Sequence, residues 1–174
     1  AFSAYITHFS FWDIARYTAS DVHPPLYYWL LKIWSDLFGT TELAYRSLSI
    51  LFGTAAMTVA FFLSRKLFGR KVAWLSLLFL ALSPMLIRYS DEARMYTLAA
   101  LIVMSATYLM VKAEETKKRK YWIWYGVFVS LGMWTHYFTA LAWLAHWVWH
   151  ASQSWRKGST FKELWKKTFS REWV

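Results

Sequence analysis

Charged residues make up only 17% of the 174 in this chain, so those that could do chemistry stand out. The densest group is Arg88-Tyr89-Ser90-Asp91-Glu92-Ala93-Arg94, two carboxylates between two guanidiniums. A carboxylate can take a proton from a hydroxyl, and an arginine can receive an anionic leaving group. A plainer reading makes Ser90 a helix cap, with Asp91 and Glu92 favouring the dipole of the first turn. Arg94 does not fit that reading, because a cation there opposes the dipole and calls for a partner or a ligand. The group is either a functional cluster or a structural ion network. Arg46 is a second anomaly, an ionisable residue in an otherwise apolar run. Such a residue finds a partner or snorkels to the headgroups.

Asp21-Val22-His23-Pro24-Pro25 offers a different chemistry. Proline fits the first turn of a helix, so the pair predicts a helix starting at Pro24. A helix start presents unpaired N–H groups and a positive dipole end, which suits an anion such as phosphate. The alternative is a capped start with Asp21 and His23 as ordinary polar residues. His136 is a candidate donor, ligand or base. His146 and His150 have metal-ligand spacing, but Trp147 stands where the HExxH glutamate would be. The tryptophans around them assign them to a membrane interface. No Walker loop, GxGxxG or GxSxG is present.

The elements that must position these residues follow from composition. The chain is 57% hydrophobic and 21% aromatic, with 13 Trp and several long apolar runs. That pattern is too apolar for a soluble domain and predicts an all-α, polytopic membrane bundle. The net charge of +10 would suggest nucleic acid in a soluble protein, but the basic residues sit in short loops between apolar runs, where they set topology. The expected partner is therefore the lipid bilayer and not nucleic acid. There is no cysteine, hence no disulfide or thiolate chemistry. The chain starts at Ala1 and is expected to be a fragment of a longer protein.

Residues 1–42 read as an outer juxtamembrane loop with interfacial helices. Within it, 24–38 should be an amphipathic helix of about 22 Å, too short for a core of about 30 Å. Tyr28, Lys32 and Asp36 would form its polar stripe, and Gly39 would end it. Membrane helices are predicted over about 43–64, 72–87, 94–111, 121–134 and 138–152. Ser83-Pro84 should break the second. The stretch 121–152 is either a pair turning at 135–137 or one tilted helix, and the basic tail favours the pair. Residues 153–174 read as a cytoplasmic basic amphipathic segment. Of the 20 Lys and Arg, only Arg16, Lys32, Arg46, Arg88 and Arg94 then lie outside, with six of the 10 carboxylates. That asymmetry puts the candidate site on the external face.

Several motifs carry a resemblance. Asp21-Val22-His23-Pro24-Pro25-Leu26 resembles the first outer loop of protein O-mannosyltransferases. HPPLYYWLLKIW, then FG, Glu42, Arg46, Ser47 and RKLFGRK, resembles prokaryotic relatives that include the aminoarabinose transferases. SPMLIRYSDEARMY is similar to a pattern of the same GT-C type integral-membrane glycosyltransferases. The resemblance implies a partial GT-C-like bundle in the inner or plasma membrane. It implies transfer of a sugar from a polyprenyl-phosphate donor to a protein, lipid or glycan acceptor. It places Arg46, Asp91 and Glu92 in the catalytic group, and Asp21, His23, Arg94, Tyr96 and His136 at the substrate. The family's catalytic Asp-Glu pair would fall at or before Ala1, so these residues alone are expected to be inactive. A divalent cation, Mg or Mn, shared by Glu92 and that pair is a further implication. Two other readings fit the membrane charges: a transporter or flippase of lipid-linked substrates, and a non-catalytic scaffold.

Overall fold

The computed structural model describes residues 2–19 and 23–156, with side chains through residue 153. Asp21 and the tail 157–174 lie outside the described residues. Every regular element among those described is an α-helix, so the protein is an all-α membrane bundle.

Three short helices come first: α1 (Phe2–Ile6), α2 (Phe11–Ala19) and α3 (Leu26–Phe38). Helix α3 begins at Leu26 and not at Pro24, with Pro25 as its N-cap. Pro25 disfavours helical geometry at the residue before it, so the first turn forms after the pair. Gly39 ends α3 at φ 89°, as its sequence position predicts. The expected outward stripe is corrected by the packing. Helix α3 buries Tyr27, Tyr28, Leu31 and Ser35, and leaves Ile33, Leu37 and Phe38 exposed. Lys32 turns inward instead. Its Nζ donates to the Thr7 carbonyl at 3.1 Å and faces Asp36 at 3.6 Å. The end of α1 has carbonyls without helical partners, and Lys32 supplies a donor.

Helix α4 (Glu42–Phe68) starts at Thr41, whose hydroxyl accepts from the Ala44 N–H at 3.2 Å. Its 27 residues reach about 40 Å, enough to cross a bilayer. Gly69, at φ 87°, makes the sharp corner into α5 (Arg70–Ala81). Helix α6 (Pro84–Asp91) is bent from α5 by 56°. Pro84 causes the break: Ser83 before it is extended, and the Ser83 hydroxyl caps the Leu86 N–H at 3.4 Å. Helices α7 (Tyr96–Thr116), α8 (Arg119–Thr135) and α9 (Thr139–Arg156) follow. The stretch 121–152 is thus a helix pair turning at His136. Among the described residues, α4 and α7 are long and apolar enough to cross a membrane, and the bent α5–α6 pair would make a third.

Helix α7 is the centre, packed between α4 and α8. Hydrophobicity alone does not hold helices together in lipid, so close packing of small residues must contribute. Helix α4 presents Ser49, Gly53, Ala56 and Ala60 to this core, and α7 presents Ile102, Ala106, Met110 and Ala113. In contrast α5 buries only Ala73 and exposes Trp74, Leu75, Leu78 and Phe79, a surface suited to lipid. Far from the N-terminal helices, Lys66 at the end of α4 pairs with Glu115 at the end of α7.

The α8–α9 contact depends on Gly132, where an added Cβ would come 2.5 Å from the Trp143 ring. Gly132→Ala should therefore push Trp143 out and cost about 1–3 kcal/mol, read as a lower unfolding temperature in detergent. Gly126 has open space around it, and Gly126→Ala should raise stability by about 0.4–1 kcal/mol.

Candidate functional site

The first turn of α4 faces the link between α6 and α7. Arg46 lies one turn after Glu42, so both point the same way. The bend at Pro84 brings Asp91, the last residue of α6, against them. One Arg46 nitrogen meets both Asp91 carboxylate oxygens, at 2.8 and 3.0 Å, and the other nitrogen holds Glu42. The Arg88 Nε is 3.4 Å from Glu92. The intervening link is pinned from below: Ser49 Oγ donates to the Arg94 carbonyl at 3.4 Å, and the Tyr27 hydroxyl donates to Ser49 at 2.8 Å. Met95 beside it is fully buried. An end of α3, the face of α4 and the α6–α7 link are thereby tied together.

These groups wall a cavity of about 900 Å3. His23, Arg46, Asp91, Glu92 and Arg94 line it, with Tyr28 and Tyr45 behind them and residues 2–4 of the first helix closing one side. Its edge is aromatic. The Arg94 guanidinium lies 5.0 Å from the Tyr96 ring centre, Tyr96 is 6.0 Å from the His136 ring, and His136 is 5.9 Å from the His23 ring. A second cavity of about 490 Å3 lies between α4 and the bent pair. Ile50, Met57, Leu80, Leu86 and Ile87 make it mainly apolar, and Asp91 lines both spaces.

His136 is held towards its neutral form. Burial lowers its pKa most, and the charges of His23 and Arg94 push the same way. Its Nδ1 accepts from the Phe138 N–H at 3.2 Å, which assigns the ring proton to Nε2.

All the candidate site residues within the described segments therefore meet at one end of the bundle, and Asp21 lies outside those segments. The partner that Arg46 requires is Asp91. Two readings are corrected. Ser90 is not the cap of α7, because it lies inside α6 and Met95 occupies that position. Arg94 accordingly sits in the link and not in a first helical turn. Glu42 was missed as a ligand of Arg46, although the i, i+4 spacing could have shown it. The contribution of Phe2, Ser3 and Ala4 carried no signal in their residue types.

His146 is not an interfacial residue but a buried one. Thr107 donates to the Val103 carbonyl, so its oxygen accepts from His146 Nε2 at 2.9 Å, and the Tyr125 hydroxyl donates to Nδ1 at 3.2 Å. His150 contacts Glu114 at 2.6 Å. Among the described residues no three His, Asp or Glu side chains converge as a metal site requires. At the cavity, Asp91 is engaged by Arg46 and Glu92 by Arg88, so these residues by themselves do not make the oxygen cage of a divalent cation.

An apolar helical bundle with a polar, ion-paired cavity at one end is the architecture of a membrane protein that handles a substrate at the bilayer edge. The chain belongs to the dolichyl-phosphate-mannose-protein mannosyltransferase family, whose model matches residues 22–170. The family makes it a glycosyltransferase of the GT-C type. Comparison with curated proteins and with solved structures gave no match.

The lowered pKa of His136 has a sign that can be measured. The unfolded chain takes up the proton more readily, so the stability held by neutral His136 is present above about pH 6.5 and is lost as the pH falls below it. Between about pH 7.5 and about pH 5.5, the unfolding temperature of the wild type should drop more than that of His136→Gln.

Proposed function

We propose that the cavity is the place where a sugar is transferred from a polyprenyl-phosphate donor to an acceptor hydroxyl, on the external face of the cell membrane. The observation that carries this reading is the meeting of carboxylates and arginines with aromatic rings around one open cavity of about 900 Å3. The charge asymmetry of the sequence supports the external face: Arg65, Lys66, Lys117, Lys118, Arg119 and Lys120 all lie away from the cavity end.

In the reaction the bond from the sugar anomeric carbon to the phosphate oxygen breaks, and the acceptor oxygen forms its bond to that carbon. The acceptor proton passes to a carboxylate, and the negative charge ends on the phosphate. Arginines at the cavity offset that developing charge. Asp91 and Glu92 are each held by an arginine, a geometry that suits orientation of the acceptor. The general base is assigned to the Asp-Glu pair that the resemblance places upstream of the HPP motif. Tyr96, His136 and His23 offer ring faces and polar edges to the sugar.

The test uses the full-length protein in membranes with a labelled polyprenyl-phosphate sugar. Arg46→Gln or Glu92→Gln should lower transfer by about 10²-fold or more, while the donor still reaches the external face. Transfer that persists in both variants would remove the cavity from the reaction. A donor that no longer reaches the external face would instead favour transport.

A further inference from the structure

Three arginines stand at the cavity, and the ion pairs divide them. Arg46 is shared between Asp91 and Glu42, two carboxylates for one guanidinium. Arg88 is matched with Glu92. Arg94 has no carboxylate partner among the described residues. Its guanidinium rests on the Tyr96 ring. A guanidinium near apolar surroundings without a carboxylate is costly, and by default it marks a ligand.

We propose that Arg94, and not Arg46 or Arg88, receives the phosphate of a polyprenyl-phosphate ligand, and that Arg46 acts as a positioning residue for Asp91. The proposal rests on the transfer reading above and assigns one group within it.

Three features of the geometry support it. Stacking on Tyr96 uses the face of the guanidinium and leaves its N–H edges free, and those edges form the fork that matches two phosphate oxygens. The base of the side chain is fixed. The Arg94 N–H donates to the Glu92 carbonyl at 2.8 Å, the Ser49 hydroxyl holds the Arg94 carbonyl, and Met95 is buried. Little entropy is then lost when an anion binds. Third, neutral His136 sits on the other side of Tyr96 with its proton on Nε2, so it adds a donor to that edge of the cavity without adding a carboxylate. Arg46 offers none of this. An anion reaching it would have to displace Asp91 or Glu42 and would meet their negative charge.

The test measures binding of a short-chain polyprenyl monophosphate to the purified full-length protein, with the matching polyprenol and inorganic phosphate as competitors. Arg94→Gln should weaken binding of the phosphate lipid by about 10-fold or more and leave polyprenol binding unchanged. Arg94→Lys keeps the charge without the fork and should fall between the two, which separates loss of the phosphate contact from misfolding. Arg46→Gln should bind the phosphate lipid within about 3-fold of wild type while losing transfer. Binding that survives Arg94→Gln but is lost in Arg46→Gln would overturn the assignment and leave the transfer reading standing. A wild type that prefers polyprenol to its phosphate would overturn the transfer reading itself. Inorganic phosphate that competes as well as the lipid would show that the site takes free phosphate and would overturn the lipid assignment.

Discussion

The structure depends on the cost of leaving charge unpaired at the edge of an apolar bundle. Arg46 cannot be neutralised by deprotonation, so it must be matched in place. Asp91 and Glu42 match it, and in doing so they fasten the start of α4 to the end of α6. An exposed pair of this kind contributes little stability, typically about 0–1 kcal/mol. Its effect is on geometry. It fixes where the α6–α7 link lies, and that link carries Glu92 and Arg94 to the cavity.

The remaining elements make that meeting possible. Pro84 turns α6 out of line with α5, so that Asp91 approaches α4. Gly53 lets α6 come close, since an added Cβ there would meet the Ser90 hydroxyl at 2.5 Å. The Tyr27–Ser49–Arg94 chain ties α3 to the same point. The α8–α9 turn completes the wall by placing His136 between His23 and Tyr96. Contacts from residues far apart in sequence converge on one end. At the other end Lys66–Glu115 and His150–Glu114 close the bundle.

Much of this was legible in the sequence, and for physical reasons. Long apolar runs have few possible structures in a membrane, so the all-helical class followed directly. Proline and glycine punctuation located the break at Ser83-Pro84 and the ends at Gly39 and Gly69. Arg46 and Arg94 announced themselves because charge in such a context needs a reason. What was not legible depends on tertiary contact. Lys32 turns inward because the end of α1 needs a donor, and helix periodicity does not encode that neighbour. Ser90 has the residue type of a cap, yet the α6 helix continues through it. The burial of His146 was hidden by the tryptophans around it; its partners Thr107 and Tyr125 come from two other helices.

The central claim is that the α3 start and the α8–α9 turn meet at the cavity end and enclose a site for a phosphate-bearing lipid. The chain described has no native cysteine, which makes thiol cross-linking clean within it. The measurement is cross-linking of His23→Cys with His136→Cys by a short bifunctional reagent, in the full-length protein in native membranes. Lys66→Cys with Glu115→Cys serves as the pair at the opposite end. The account predicts that both pairs cross-link, and that polyprenyl monophosphate slows the first pair only. Cross-linking of the second pair without the first would contradict it, as would a first pair that the phosphate lipid leaves unchanged.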